Sequence, residues 1–287
     1  MNILYRIAVT AACIAAISCN RESVPADGSG EIVFTADDAI SAEVTTKTTV
    51  TNSLESTGFY ASATTGGSSE TKLWNNVSFS YSSGKFTGGK YWPATDNGIH
   101  FYASNADITF NAAGCSVNSV SANSKDVVCA YLASPSWKQE NALTFNHIFA
   151  RIGSVKVNAP SGYNVSSLNI SITPYITGNY NIKTGTWSSQ TVDSSSPSKP
   201  IAISASGTNE NNLWVIPGTY DLTASYTLSK GTGDGAYVES FSKTASVTIV
   251  AGKIHSIETT LPAGNATEIV FTVSITPWAN NSINVTF

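Results

Sequence analysis

Three histidines, four cysteines and a thin scatter of carboxylates are the residues of this 287-residue chain that could carry chemistry. Metal binding by His100, His147 or His255 would need a second ligand at close spacing, and each of the three stands alone in a strand-like stretch. General acid and base work would need two carboxylates held together. Asp37, Asp38 and Asp126 are the available pieces, and nothing in their spacing brings them to one place. No nucleophile elbow, phosphate loop or calcium loop occurs, and the pairs Gly66-Gly67 and Gly88-Gly89 read as turns. The expectation is a protein that is not an enzyme and needs neither cofactor nor metal.

The cysteines carry more information. Arg6 precedes an apolar stretch, Ile7 to Ile17, that is too short to span a bilayer and reads as a removable export signal over residues 1–18. It ends Ala16-Ile17-Ser18-Cys19, small residues before a cysteine, which resembles the lipobox of bacterial lipoproteins, with Ala16 where Leu is usual. Cys19 would then be the lipidated first residue, and acyl chains contribute about 0.8 kcal/mol of membrane affinity per buried methylene. An ordinary export signal with an incidental cysteine is the plainer alternative. Outside the reducing cytoplasm, the remaining Cys115 and Cys129 are compatible with a disulfide across a short polar segment or with two separately buried thiols.

These residues must be positioned by strands. Only 12% of residues are charged, 19 acidic against 15 basic, so no basic patch invites nucleic acid or an anionic membrane surface. After a polar tether, residues 19–30, runs of five to seven residues alternate apolar and polar between Gly, Asn, Ser and Pro clusters. Such runs are Glu31 to Ala36, Gly58 to Ala63, Val77 to Tyr81, Gly98 to Ala103, Asp126 to Leu132, Ile152 to Asn158, Leu168 to Thr173, Tyr220 to Leu228, Ala245 to Val250 and Glu268 to Thr276. No helical stripe of similar length occurs. The pattern predicts an all-β, fully antiparallel chain of two β-sandwich domains in tandem, 31–142 and 143–287, divided at the turn-rich stretch from Ser134 to Asn141.

Five motifs in order resemble the fimbrillin family, the type V pilus subunits of Bacteroidales. They are the lipobox; Glu31-Ile32-Val33-Phe34-Thr35 leading to Thr45-Thr46-Lys47-Thr48-Thr49; Lys90-Tyr91-Trp92-Pro93 followed by Ile99-His100-Phe101-Tyr102-Ala103; Leu143-Thr144-Phe145-Asn146-His147 running into Ala150-Arg151-Ile152; and a closing strand ending Pro277-Trp278. The resemblance implies two transthyretin-like antiparallel β-sandwich domains on an outer-membrane lipoprotein that passes into a fimbrium. It also implies a trypsin-like protease that removes the first strand, so that other pilus subunits, the same chain or related ones, fill the groove by strand exchange and build an adhesive fibre.

Residues in this sequence suit those roles. Ile32 and Phe34 share one face of the first strand, the part to be displaced. Lys47 lies in a Thr-rich stretch beyond it and is the chosen cut site; Lys72 is another basic candidate, while Arg21 precedes the strand, so a cut there would leave the groove closed. Ile283, Val285 and Phe287 alternate up to the last residue as a donor strand requires. Glu268 to Thr272 repeats Glu31 to Thr35 residue for residue, and either serves similar surroundings or is simply the last core strand. Two alternatives remain at this point. One is a surface lipoprotein binding host or other glycans through Trp74, Tyr91, Trp92, Trp137, Trp187, Trp214 and Trp278; the other is a non-polymerising anchor subunit.

Overall fold

The computed structural model describes residues 30–36, 54–66, 69–111, 114–122, 126–196, 198–200, 210–231, 236–261 and 270–277. In chain order the first elements are β1 (Glu31–Ala36), the single turn α1 (Leu54–Thr57), β2 (Phe59–Thr65), β3 (Thr71–Ser82), β4 (Lys85–Tyr91), β5 (Ile99–Ser104), β6 (Ile108–Asn111), β7 (Gly114–Ser121), β8 (Val128–Leu132), β9 (Asn141–Leu143) and β10 (Asn146–His147). There follow β11 (Ala150–Asn158), β12 (Asn164–Ile172), β13 (Tyr175–Asn181), β14 (Thr186–Val192), β15 (Lys199–Pro200), β16 (Glu210–Val215), β17 (Gly218–Lys230), β18 (Tyr237–Ile249), β19 (Lys253–Thr260) and β20 (Val270–Pro277).

The first sheet has the order β10-β8-β5-β2-β3-β4-β1-β9. Its central strands β2, β5 and β8 read as nearly unbroken buried runs because both of their faces are covered. Phe59, Ala61 and Ala63 of β2, Ile99, Phe101 and Ala103 of β5, and Val128 and Ala130 of β8 enter one aromatic-rich core. The alternate residues Tyr60, Tyr102, Cys129 and Tyr131 enter a second core on the opposite face. A four-stranded sheet, β14-β13-β7-β6, closes that second core, to which it contributes Ile108, Cys115, Val117, Ile176 and Ile182.

A third core lies between the sheets β16-β11-β19-β20 and β15-β12-β17-β18. The hairpin of β17 and β18 follows period-two alternation closely. Tyr220, Leu222, Ala224, Tyr226 and Leu228 point inward, while a hydroxyl ladder lines the outside, with Thr219 to Thr248 at 3.2 Å, Thr223 to Thr244 at 3.0 Å and Thr227 to Ser240 at 2.9 Å.

One sequence expectation is corrected. The sheets are not fully antiparallel: β1 runs parallel to β9, and β11 runs parallel to β19. These pairs join strands distant in the chain, where no tight hairpin imposes the antiparallel direction. Strand pairing also crosses residues 142 and 143. β7 pairs with β13 from Thr177↔Ser121 to Asn181↔Ser116, β10 returns to β8, and the first core runs on to Leu143 and Phe145. Of the two states the sequence left open for Cys115 and Cys129, the structure has the free, buried thiols. The first part of the segment between them belongs to strand β7, which lies in a different sheet from the one that holds Cys129. Each thiol engages a hydroxyl, Cys115 with Ser62 and Cys129 with Ser104 at 3.5 Å.

Candidate functional site

The first strand is the candidate site, and its sequence explains its seat. In Glu31-Ile32-Val33-Phe34-Thr35, alternation turns Ile32 and Phe34 to one side, where they are 1% and 0% exposed, and leaves Val33 half-buried on the other. Phe34 is the hub of an aromatic cluster: its ring centroid lies 4.9 Å from Phe101, edge-on at 86°, 5.1 Å from Phe79 and 6.1 Å from Phe59. Phe59 in turn meets Phe86 at 4.9 Å and Phe145 at 5.2 Å, and Trp92 meets Phe101 at 5.7 Å. Gly88 matters here, because a Cβ at that position would lie 2.8 Å from the Phe79 ring, which forms the floor beneath Phe34. Burial of Ile32 and Phe34 together contributes roughly 3 to 6 kcal/mol before ordering costs.

Backbone pairing fixes the direction of the strand. β1 is antiparallel to β4, with Glu31↔Tyr91, Val33↔Thr87 and Phe34↔Phe86, and parallel to β9, with Phe34↔Asn141, Thr35↔Ala142 and Ala36↔Leu143. At its start the Trp92 N–H donates to the Gly30 carbonyl at 3.2 Å, and the Gly89 N–H donates to Glu31 Oε1 at 3.0 Å. The short strand β9 is shaped by Asn141, whose Oδ1 accepts from the Ser136 N–H at 2.7 Å while its Nδ2 donates to the carbonyls of Ser136 at 3.1 Å and Gln139 at 2.9 Å. Lys85 pairs with Glu140 at 2.5 Å next to it. Any strand that replaced β1 would have to run antiparallel to β4 and offer two apolar residues at alternate positions to the same cluster.

Cys19, Lys47, Arg21, Ile283, Val285, Phe287 and Trp278 lie outside the described residues. Lys72 sits within β3, opposite Thr64 of β2, where its backbone is held in a sheet. The repeated motif falls on β20, whose residues Val270 to Thr272 pair with Thr260 to Glu258 at a sheet edge, unlike β1, which is flanked on both sides. The tryptophans pack into the cores: Trp92 is 1% exposed, Trp74 and Trp137 lie against the first core, and Trp187 and Trp214 against the second. No tryptophan among the described residues forms an exposed platform for sugar rings.

The structure also gathers polar groups that the sequence did not single out. Glu70 accepts from Tyr102 OH at 2.5 Å, Thr64 Oγ1 at 2.8 Å and Lys183 Nζ, linking the loop before β3 to the turn between β13 and β14. Burial raises the Glu70 carboxyl, but hydrogen bonds from Lys183, Tyr102 and Thr64 together outweigh it and hold the pKa below the ordinary value. His147 Nδ1 lies 2.6 Å from Asp126 Oδ2 in a buried pair, and desolvation pushes the Asp126 carboxyl up. His100 Nδ1 meets Tyr131 OH at 2.8 Å, and His255 Nε2 accepts the Val250 N–H at 3.1 Å. Residues 70 and 183 are far apart in sequence and adjoin strands of different sheets, which pack together across the second core; the motif around His147 was legible, its Asp126 partner was not.

Several solved structures match along most of the chain. A proposed cell adhesion protein from Bacteroides uniformis is 16% identical, with 89% of this chain and 100% of that chain covered and a TM-score of 0.48. A proposed cell adhesion protein from Bacteroides ovatus is 13% identical over 88% and 98%, with a TM-score of 0.48. A fimbrial assembly protein from Parabacteroides distasonis is 9% identical over 87% and 98%, with a TM-score of 0.40. No curated protein matches the chain significantly. The sequence profile of the fimbrillin-like family matches residues 42–278, leaving β1, the cysteine at 19 and the last residues outside the match. With most of the chain covered by that profile, the protein belongs to the fimbrillin-like family, a structural and not an enzymatic one.

Proposed function

We propose that the chain is a structural fimbrial subunit, exported as an outer-membrane lipoprotein on Cys19, that assembles by exchange of its first strand after a trypsin-like cut at Lys47. The observation that carries this reading is the seat of β1. One short strand, anchored by Ile32 and Phe34, fills an aromatic trench whose floor and walls come from β2, β3, β4 and β5. Lys47 lies between β1 and α1, so cleavage there severs the covalent link between the strand and the rest of the sheet. Loss of β1 would bare the unpaired edges of β4 and β9 and the faces of Phe59, Phe79 and Phe101. An incoming strand gains backbone hydrogen bonds and burial at once. Ile283, Val285 and Phe287 offer the required alternation as the donor.

In this reading the three cores form two sandwich units, meeting where β7 pairs with β13, and adhesion is a property of the assembled fibre. Limited trypsin treatment of the chain from Asn20 onward, which retains every described residue, tests the scheme. Cutting after Lys47 should yield a ladder of polymers, and Lys47→Gln should give no ladder. Quantitative cleavage that yields no ladder overturns strand exchange by this route. Removing residues 283–287 should leave a folded monomer that accepts but does not donate; a chain that fails to fold would assign those residues to the core instead.

A further inference from the structure

The longest open edge among the described residues belongs to β18, away from the first strand. All thirteen of its residues pair with β17, from Gly218↔Ile249 to Lys230↔Tyr237, and no described strand pairs along its other side. An edge of that length is a ready template for another strand unless it is blocked. Its outer row, Val238, Ser240, Ser242 and Thr244, is exposed, Val238 by 67%. Its inner row closes against the core at Val247 and Ile249 but opens towards Tyr237, placing Glu239 and Lys243 on either side of Phe241. Phe241 stacks on the buried Tyr226 of β17 at 5.2 Å.

Inward-facing charges on an edge strand usually prevent pairing, since most registers set them against apolar or like-charged residues. Here the charges sit two residues to either side of Phe241, and that spacing is self-complementary. In an antiparallel pair of two β18 strands with Phe241 opposite Phe241, Glu239 falls opposite the second copy's Lys243, and the twofold axis repeats the match. Ser240 then faces Ser242, Val238 faces Thr244, and Tyr237 faces Ala245. A contact that matches only about its own midpoint suits an isologous partner.

We propose that the β18 edge is a self-association surface, on which two copies of this chain pair antiparallel about Phe241 and join their four-stranded sheets into one. The contact needs no proteolysis and leaves β1 untouched, so it would bind subunits side by side, independently of growth by strand exchange.

Sedimentation of the uncut chain from Asn20 onward, over about 1 µM to 1 mM, tests this. The expected result is a reversible monomer–dimer equilibrium. Glu239→Lys alone, or Lys243→Glu alone, sets like charges opposite each other at both symmetric positions and should weaken the dimer at least about tenfold. A mixture of the two altered chains restores both opposite-charge pairs and should dimerise about as well as the parent. A parent that stays monomeric throughout, as it would if another segment of the same chain lay along the edge, overturns the proposal. So does a dimer indifferent to both reversals, or a mixture no tighter than either variant by itself.

Discussion

Truncating Phe34 to alanine is the sharpest test of the first-strand seat. The ring is 0% exposed and meets three other aromatic rings at 4.9 to 6.1 Å, so Phe34→Ala removes burial and leaves a cavity that neighbouring strands cannot easily close. Such substitutions cost about 3 to 5 kcal/mol. The edge-on contact with Phe101 accounts for about 0.5 to 1.5 kcal/mol of that beyond area alone. Because β1 contacts β4 and β9 directly, the loss should appear first in their hydrogen exchange: protection of the amides of Lys85 to Tyr91 should fall on the order of 10² to 10³-fold. Peptides from β17 and β18, in a separate core, should change little. Val33→Ala, at a half-buried position on the other face, should cost about 1 kcal/mol or less. A Phe34→Ala chain in which β4 protection falls less than about fivefold, or in which β18 loosens equally, would refute the seat as the local anchor of the strand.

Four further outcomes follow from the buried polar groups. Burial pushes the thiols of Cys115 and Cys129 up to about 12, so the folded chain should resist alkylation at pH 8 and react at both only in denaturant; a mass shift on reduction would reveal a bridge that should be absent. Lys183→Ala leaves the Glu70 carboxylate short of a partner and should cost about 1 to 3 kcal/mol by thermal or chemical unfolding. Since Glu70 titrates below its ordinary value when folded, its contribution is present above the unfolded value of 4.5 and lost as pH falls through the folded one, and Glu70→Gln should flatten that acid limb. Burial lowers the pKa of His255, so stability should decline as pH falls below the unfolded value of 6.5, by at most about 1.4 kcal/mol per unit, and His255→Asn should remove that slope.

Strand-sized alternation was enough to find β1 at its full span and to locate the cores of β2, β5, β8, β11, β12, β17 and β20. Their apolar residues repeat every second position or run together, and that pattern survives whatever the partner strand proves to be. Several of the strands that were missed are polar or glycine-broken: Lys-Phe-Thr-Gly-Gly-Lys-Tyr in β4, Gly-Cys-Ser-Val-Asn-Ser-Val-Ser in β7, Thr-Trp-Ser-Ser-Gln-Thr-Val in β14, and the first half of β18; β6, β13, β16 and β19 were missed as well. These segments are extended because a neighbour supplies hydrogen bonds, a non-local cause that no local window contains.

The amino-acid order alone therefore determined an all-β structural protein, its fimbrillin resemblance, and the inward pairing of Ile32 with Phe34, since a two-residue period is written locally in the chain. Tertiary structure alone decided that β1 lies parallel to β9, that Cys115 and Cys129 stay unbridged on different sheets, and that Glu70 finds Lys183. Each of those depends on which distant backbone edges meet, and edges are matched by the packing of whole sheets, not by the residues along any one of them.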